Sequence, residues 1–211
     1  MSAMPKTRKD DEVMKGILFV LSGPSGTGKG TVCKELLKRG CGVSLSVSMT
    51  TRECREGEVP GETYHYVSKE EFERAIADGE MLEYAKYGEN YYGTPRSSVE
   101  KDLNEGRDVL LEIEPQGAMQ VKSRLPEAVL VFLVPPSMHE LKRRLVTRGR
   151  EGAEEIEKRI ATARWELTQA EKYSVHILND SLDECVDDVI AYFEEKRAER
   201  RKIEELINEQ V

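Results

Sequence analysis

Residues 23 to 31 read Gly-Pro-Ser-Gly-Thr-Gly-Lys-Gly-Thr. Closely spaced glycines let successive backbone N–H groups turn toward one anion, because no Cβ blocks the approach. Lys29 adds a long cationic side chain that reaches the outer phosphates of a polyphosphate. This chemistry needs a strand before the loop and a helix after it, whose N-terminal N–H groups and dipole strengthen the positive field. Ile17-Leu18-Phe19-Val20-Leu21 supplies the strand and Val32 to Lys38 the helix. Gly23, Pro24, Ser25, Gly26, Thr27, Gly28, Lys29, Gly30 and Thr31 are therefore candidate phosphate ligands. One position departs from the usual pattern: Gly30 stands where a Ser or Thr would meet Mg²⁺, and the hydroxyl arrives one residue later, at Thr31.

Other residues could join this chemistry. Arg52 and Arg55 lie three apart in a polar loop, and guanidinium groups grip phosphate with paired N–H donors. A second group, Arg143, Arg144, Arg148, Arg150 and Arg159, is dense for an acidic chain. On charge alone it reads as a solvated helix face paired with glutamates. Glu83 stands within the apolar segment 81–85, and Glu112 and Glu114 end an apolar strand, where carboxylates beside a phosphate loop often meet Mg²⁺. His65, His139 and His176 have no partner at catalytic spacing, so covalent catalysis by a Ser-His or Cys-His pair is not indicated.

Elements must position these groups, and 211 residues suffice for one substantial core with a small inserted lobe. Strand 16–22, helix 29–38 and a short strand 45–48 read as one βαβ unit, which implies a parallel sheet with the second strand beside the first. Residues 50–61 are a loop. Strands at 64–67, 81–87 and 90–92, with a capping box at Ser68-Lys69-Glu70-Glu71 opening a helix to Gly79, read as a small mixed lobe. The α/β rhythm resumes with helix 96–105 and strands 108–113 and 128–134. Next come a helix from Ser137 to Thr147, helix 154–171 and strand 176–178. Leu182, Cys185, Val186, Val189, Ile190 and Phe193 line one face of a last helix whose charged end, beyond Glu194, is expected to project into solvent.

The formal charge of −8 argues against a general nucleic-acid binder. Four cysteines placed singly argue against a zinc site or a disulfide scaffold and fit a reducing, cytoplasmic setting. No apolar run approaches a membrane span, and Met1–Met14 reads as a mobile tail without a signal core.

Taken in order, Gly23–Thr31, Ser48-Met49-Thr50-Thr51-Arg52 with Arg55, Gly57 and Glu58, then Tyr64, then Asn90-Tyr91-Tyr92-Gly93-Thr94 resemble the guanylate kinase family, from about Gly16 to Phe193. The resemblance implies a P-loop three-layer α/β/α core (15–48 and 95–211) within a domain spanning 15–211. It also implies an inserted α+β GMP-binding lobe at about 49–94 and a helical lid at about 144–160. The implied activity is transfer of the γ-phosphate of MgATP to GMP, and use of dGMP is left open. Lys29, Arg52, Arg144, Arg148 and Arg159 would be catalytic. Arg52, Arg55, Tyr64 and Tyr92 would hold the GMP phosphate; Glu83, with Ser48 and Thr94, would read guanine; Asn179 would lie at the ATP adenine. Glu112 would face the acceptor or the metal, for which Thr31, Glu112 and Glu114 are the candidates, directly or through water. Met49 stands where the family commonly has serine. The alternative is a non-catalytic guanylate-kinase-like interaction module, but such modules typically erode the loop that this chain retains. Monomer and homo-oligomer are both left open.

Overall fold

The computed structural model describes residues 16–147 and 152–209. The tail expected at 1–14, and Arg148 and Arg150 of the expected lid, lie outside the described residues. The strands are β1 (Leu18–Ser22), β2 (Val43–Leu45), β3 (Met49–Thr50), β4 (His65–Tyr66), β5 (Met81–Tyr87), β6 (Asn90–Pro95), β7 (Asp108–Glu112), β8 (Val129–Val134) and β9 (Val175–Leu178). The helices are α1 (Lys29–Lys38), α2 (Lys69–Ala77), α3 (Arg96–Asn104), α4 (Pro115–Arg124), α5 (Met138–Thr147), α6 (Ala153–Thr168) and α7 (Leu182–Asn208).

A parallel sheet in the order β2-β7-β1-β8-β9 forms the core. Successive strand side chains point to opposite faces, and both faces are covered over the central strands β7, β1 and β8, whose interiors are apolar. Leu18 and Val20 pack with Val109, Leu111 and Leu130 against Val99 of α3 and Ala118 and Val121 of α4. Phe19 and Leu21 pack with Leu110, Val131 and Leu133 against α1 and α7. The result is the expected three-layer α/β/α arrangement. One expectation fails: β2 is not beside β1, because β7 lies between them. Val109, Leu110 and Leu111 are buried on both faces, whereas Val43–Leu45 is only half-buried. The more apolar strand takes the centre and the weaker one the edge. The second strand also ends at Leu45, so Ser48 leads instead into β3.

A second, mixed sheet runs β4-β3-β6-β5, with β3 parallel to β4 and the other pairings antiparallel. Helix α2 packs on it through Phe72, which is stacked on Tyr91 at 5.3 Å. The expected capping box is formed: Ser68 accepts from the Glu71 N–H and Glu71 from the Ser68 N–H.

Helix α4 was not legible in the sequence. Its signal is a proline at the first helical position, Pro115. Its apolar stripe is too short, with Ala118 and Val121, to stand out against a polar segment. Gln120 hydrogen-bonds both the N–H and the C=O of Tyr84, and Arg124 donates to the carbonyls of Met81 and Leu82. These four bonds satisfy the open edge of β5 and dock the second sheet on the core.

Helix α7 is anchored further along than its apolar face suggests. Beyond Glu194, Arg197 donates to Asp108 at 2.7 Å and to the Gly42 carbonyl, and its guanidinium lies over the Phe19 ring. Phe193 stacks on Phe19 with centroids 3.9 Å apart and is fully buried. Among the described residues, no helix is long and apolar enough to cross a membrane. Truncating the Phe193 ring leaves a cavity under β1, so Phe193→Ala should lower unfolding stability by about 3–5 kcal/mol. A shift in the urea midpoint at constant m-value measures it; a change below about 1 kcal/mol would contradict this packing.

Candidate active site

The carboxyl ends of β1, β7, β8 and β9 converge on the 23–31 loop, the position where open parallel sheets place their ligand crevice. Gly28 starts α1 with φ +96°, and a Cβ there would come within 2.8 Å of the Asn179 side-chain nitrogen. Asn179 follows β9, is buried, donates to the Thr27 carbonyl at 2.6 Å and is held by its own N–H on the Val134 carbonyl. Lys29 is 7 % exposed. Its ammonium donates to the carbonyls of Gly23 (2.7 Å) and Pro24 (3.3 Å) and pairs with Glu114 at 3.4 Å. Thr27 closes the loop by donating its hydroxyl to the Pro24 carbonyl.

Two of the expected lid arginines reach this loop. Arg144 donates to the carbonyls of Thr27 and Asn179 and is braced by Glu140. Arg143 and then Arg144 hold the Glu140 carboxyl down at about 2. Arg159 donates to the Ser25 hydroxyl. Beside them a cleft of about 340 Å³ opens between the loop and β9, lined by Gly26, Gly28, Thr31, Arg143, Arg144, Thr147, Asn179, Asp180 and Leu182.

Gly30 faces Glu112. A Cβ at position 30 would lie 3.3 and 3.4 Å from the two Glu112 oxygens, so the carboxylate fills the space into which a serine would project. Thr31 points elsewhere, into the Asn179 cleft. The metal candidates are thus divided, with Glu112 and Glu114 on one side of the loop and Thr31 on the other. Among the described residues, no group of three His, Cys, Asp or Glu side chains is arranged to hold a metal.

A second cationic cluster lies at the start of the mixed sheet. Arg52 follows β3, not a core strand. Its fork meets Glu58 through two hydrogen bonds, at 2.7 and 2.5 Å, and its guanidinium lies 5.2 Å from the Tyr64 ring centroid. Arg52 foremost among its partners holds Glu58 at about 2. Glu58 also accepts from the Arg55 N–H and the Tyr66 hydroxyl, while the Arg55 residue is exposed. Tyr64 contacts Tyr92 edge to face. Burial and then the Glu112 charge push the Tyr64 phenol up.

Glu83 is 4 % exposed and pairs with Thr94 across β5 and β6, accepting its hydroxyl at 2.7 Å. Met49 pairs with Gly93 in antiparallel register, so Ser48 falls opposite Thr94. A lone carboxylate on a strand usually faces water; this one is buried, and burial pushes its carboxyl up to about 7. Space for it comes from Gly117 in the first turn of α4, where a Cβ would lie 2.4 Å from a Glu83 oxygen. Gly117 was missed in the sequence together with its helix.

Glu166 was missed as well. It lies on α6, is 2 % exposed and accepts the Ser25 N–H at 3.1 Å. Burial and then the adjacent Glu114 push its carboxyl up to about 8. Tyr91, stacked on Phe72, stays outside both clusters.

A family profile described as Guanylate kinase matches residues 15–196. The chain belongs to the guanylate kinase family. It is 51% identical over 189 residues to a guanylate kinase of Oceanobacillus iheyensis, covering 90% of this chain and 92% of that one. It is 50% identical over 189 residues to the guanylate kinase of Thermus thermophilus, covering 90% and 84%. A crystal structure of guanylate kinase from Anaplasma phagocytophilum superposes with a TM-score of 0.71 at 34% identity, covering 87% of each chain. In this chain the 23–31 loop, the Arg52 cluster and the buried Glu83 are joined through the β7–α4 junction, with Glu112 against Gly30 and Gly117 against Glu83. Because the Thr94 hydroxyl favours the ionised form of Glu83, Thr94→Val should raise the midpoint at which the Glu83 carboxyl titrates. Carbon-13 NMR of the glutamate carboxyls measures this; an unchanged or lower midpoint would show that the hydroxyl does not bear on it.

Proposed function

We propose that this guanylate kinase transfers the γ-phosphate of MgATP to GMP, giving ADP and GDP, with the 23–31 loop as donor site and the Arg52–Tyr64–Tyr92 cluster as acceptor site. The observation that supports this reading is a glycine-rich loop with a buried lysine, a second cluster built on Arg52, and a buried carboxylate, Glu83, joined through the β7–α4 junction, where Glu112 lies against Gly30 and Gly117 against Glu83. Guanine presents N1–H and N2–H side by side, and an ionised Glu83 accepts both. Adenine presents a bare N1 to the same oxygens, and a site built on such bonds rejects the mismatched base by about 10⁴–10⁵. Ser48 and Thr94 would hold the O6 edge.

No protein nucleophile is needed, since the attacking GMP oxygen is already anionic. Catalysis then consists of alignment and charge neutralisation. Lys29, Arg144 and Arg159 surround the donor phosphates, and Arg148 would join them from the lid proposed at 144–160. Arg52 and Arg55 hold the acceptor within the lobe proposed at 49–94. Asn179 and the cleft beside it take the adenine. Mg²⁺ enters with ATP, and the hard carboxylate oxygens of Glu112 and Glu114 suit it, directly or through water; Thr31 would act from the cleft. The four cysteines are free thiols, which suits the reducing cytoplasm we assign. dGMP is a further acceptor, because none of the proposed contacts involves the ribose 2′-hydroxyl.

A coupled assay of ADP release over GMP, AMP, CMP and UMP should show turnover with GMP alone; equal rates with AMP would refute the base-reading role. Arg52→Ala should raise KM for GMP by about 10-fold or more and leave KM for ATP within about twofold. Loss of ATP affinity to the same degree would dissolve the division into two sites. Base recognition also needs Glu83 ionised, and its carboxyl titrates near 7. Below that value the carboxyl is protonated and would oppose the N1–H donor, so KM for GMP should rise as pH falls through about 7. That midpoint lies above the value of about 6 expected from the GMP phosphate itself, and a profile turning only near 6 would assign the effect to the substrate.

A further inference from the structure

Helix α6 touches the phosphate loop at one residue with two side chains. Glu166 accepts the Ser25 backbone N–H, and Arg159 donates to the Ser25 hydroxyl. Seven residues separate them, which is close to two helical turns, so both project from the same face of α6. Glu166 is 2 % exposed, and the proposed transfer gives it no role. A carboxyl group buried that deeply needs partners, and it finds Glu114 beside it and the Ser25 N–H on a loop 141 positions away in the chain. Its neighbour Trp165 is 53 % exposed, so the burial belongs to the Glu166 position and not to the whole turn.

We propose that Glu166 is a positioning residue: by accepting the Ser25 N–H it locks α6 onto the phosphate loop in the one register that presents the Arg159 guanidinium to Ser25. The inference rests on the role proposed above for Arg159. Arginine side chains have many rotamers, and holding one in place is worth the ordering entropy it would otherwise lose on binding. The backbone of α6 is the lever: fixing the helix at Glu166 fixes where the Arg159 Cα stands. A misplacement of about 1 Å at a charge-neutralising group is enough to lower a transfer rate by about 10²-fold. Glu166 itself touches neither transferred group in this scheme; it acts through Arg159.

The test is a double-mutant cycle on the full chain. Glu166→Met keeps the side-chain length and removes the acceptor; Glu166→Gln keeps an amide oxygen that can accept the Ser25 N–H. E166M should lower kcat by about 10–100-fold with KM for GMP within about twofold, and E166Q should restore most of the rate. In an Arg159→Ala background, E166M should change kcat by less than about twofold, since the group it positions is gone. Additive losses in the cycle, or E166Q as impaired as E166M, would overturn the proposal. Should E166M lack a cooperative melting transition, Glu166→Asp, which draws the carboxyl back by about 1.5 Å, goes through the same cycle with the same criteria. Wild-type turnover with GMP is measured alongside: its absence would refute the proposed function, whereas an active wild type with an additive cycle refutes only the inference about Glu166.

Discussion

Buried positive charge at the phosphate loop is the constraint that the rest of the site answers to. A lysine ammonium at 7 % exposure is expensive to desolvate, by several kcal/mol if left uncompensated. The loop meets that cost locally, with the carbonyls of Gly23 and Pro24, and Glu114 supplies the balancing charge from across the sheet. The same solution recurs at Arg52 and Arg144. Glu58 holds the Arg52 fork, and Glu140 braces Arg144. These carboxylates keep the cationic side chains extended and aimed, so that an anionic substrate meets groups already near their working geometry. In so acidic a chain, part of the negative charge thus stands as partners of these cations.

Geometry links this charge pattern to the fold. Glu114 is the residue immediately before α4, and Gly117, three residues on, makes room for Glu83. One helical turn thus ties the lysine side of the crevice to the carboxylate on the other sheet. Glu112, two residues earlier at the end of β7, lies against Gly30 and acts electrostatically on Tyr64. The β7–α4 junction is where both clusters are registered against each other, and this depends on β7 being the strand adjacent to β1.

That dependence shows which features were readable from the residues. The phosphate loop, β1 and α1 were legible because they are contiguous and their signals agree: an apolar run, glycines and then an amphipathic helix. The Ser68 capping box and the α7 stripe were legible for the same reason. Helix α4 was not, because a short helix with two buried apolar residues leaves little periodicity. The position of β7 was not, because strand order is decided by which strand is buried on both faces, a comparison no single segment contains. Arg52 and Glu83 stood out by type and setting, but only the resemblance to guanylate kinases gave them, and Tyr64, a role, since each alone is an ordinary loop or strand residue. Glu166 carried no local signal: in a charged helix it looks like any solvated glutamate, and its partner is remote in sequence.

The docking of β5 on α4 has a mechanical consequence. Gln120 and Arg124 fasten that strand to the core through four hydrogen bonds, and β5 is the edge of its sheet nearest the core. Any swing of the mixed sheet therefore pivots along β5, and displacement grows strand by strand toward β4. With strands about 4.8 Å apart, β4 lies about 14 Å from the pivot. Glu83 sits on the axle and hardly travels, while Arg52 and Tyr64, at the far strands, sweep the longest arc. A contact made at Glu83 would thus keep its place during such a swing, while one made at Arg52 or Tyr64 would travel with the sheet.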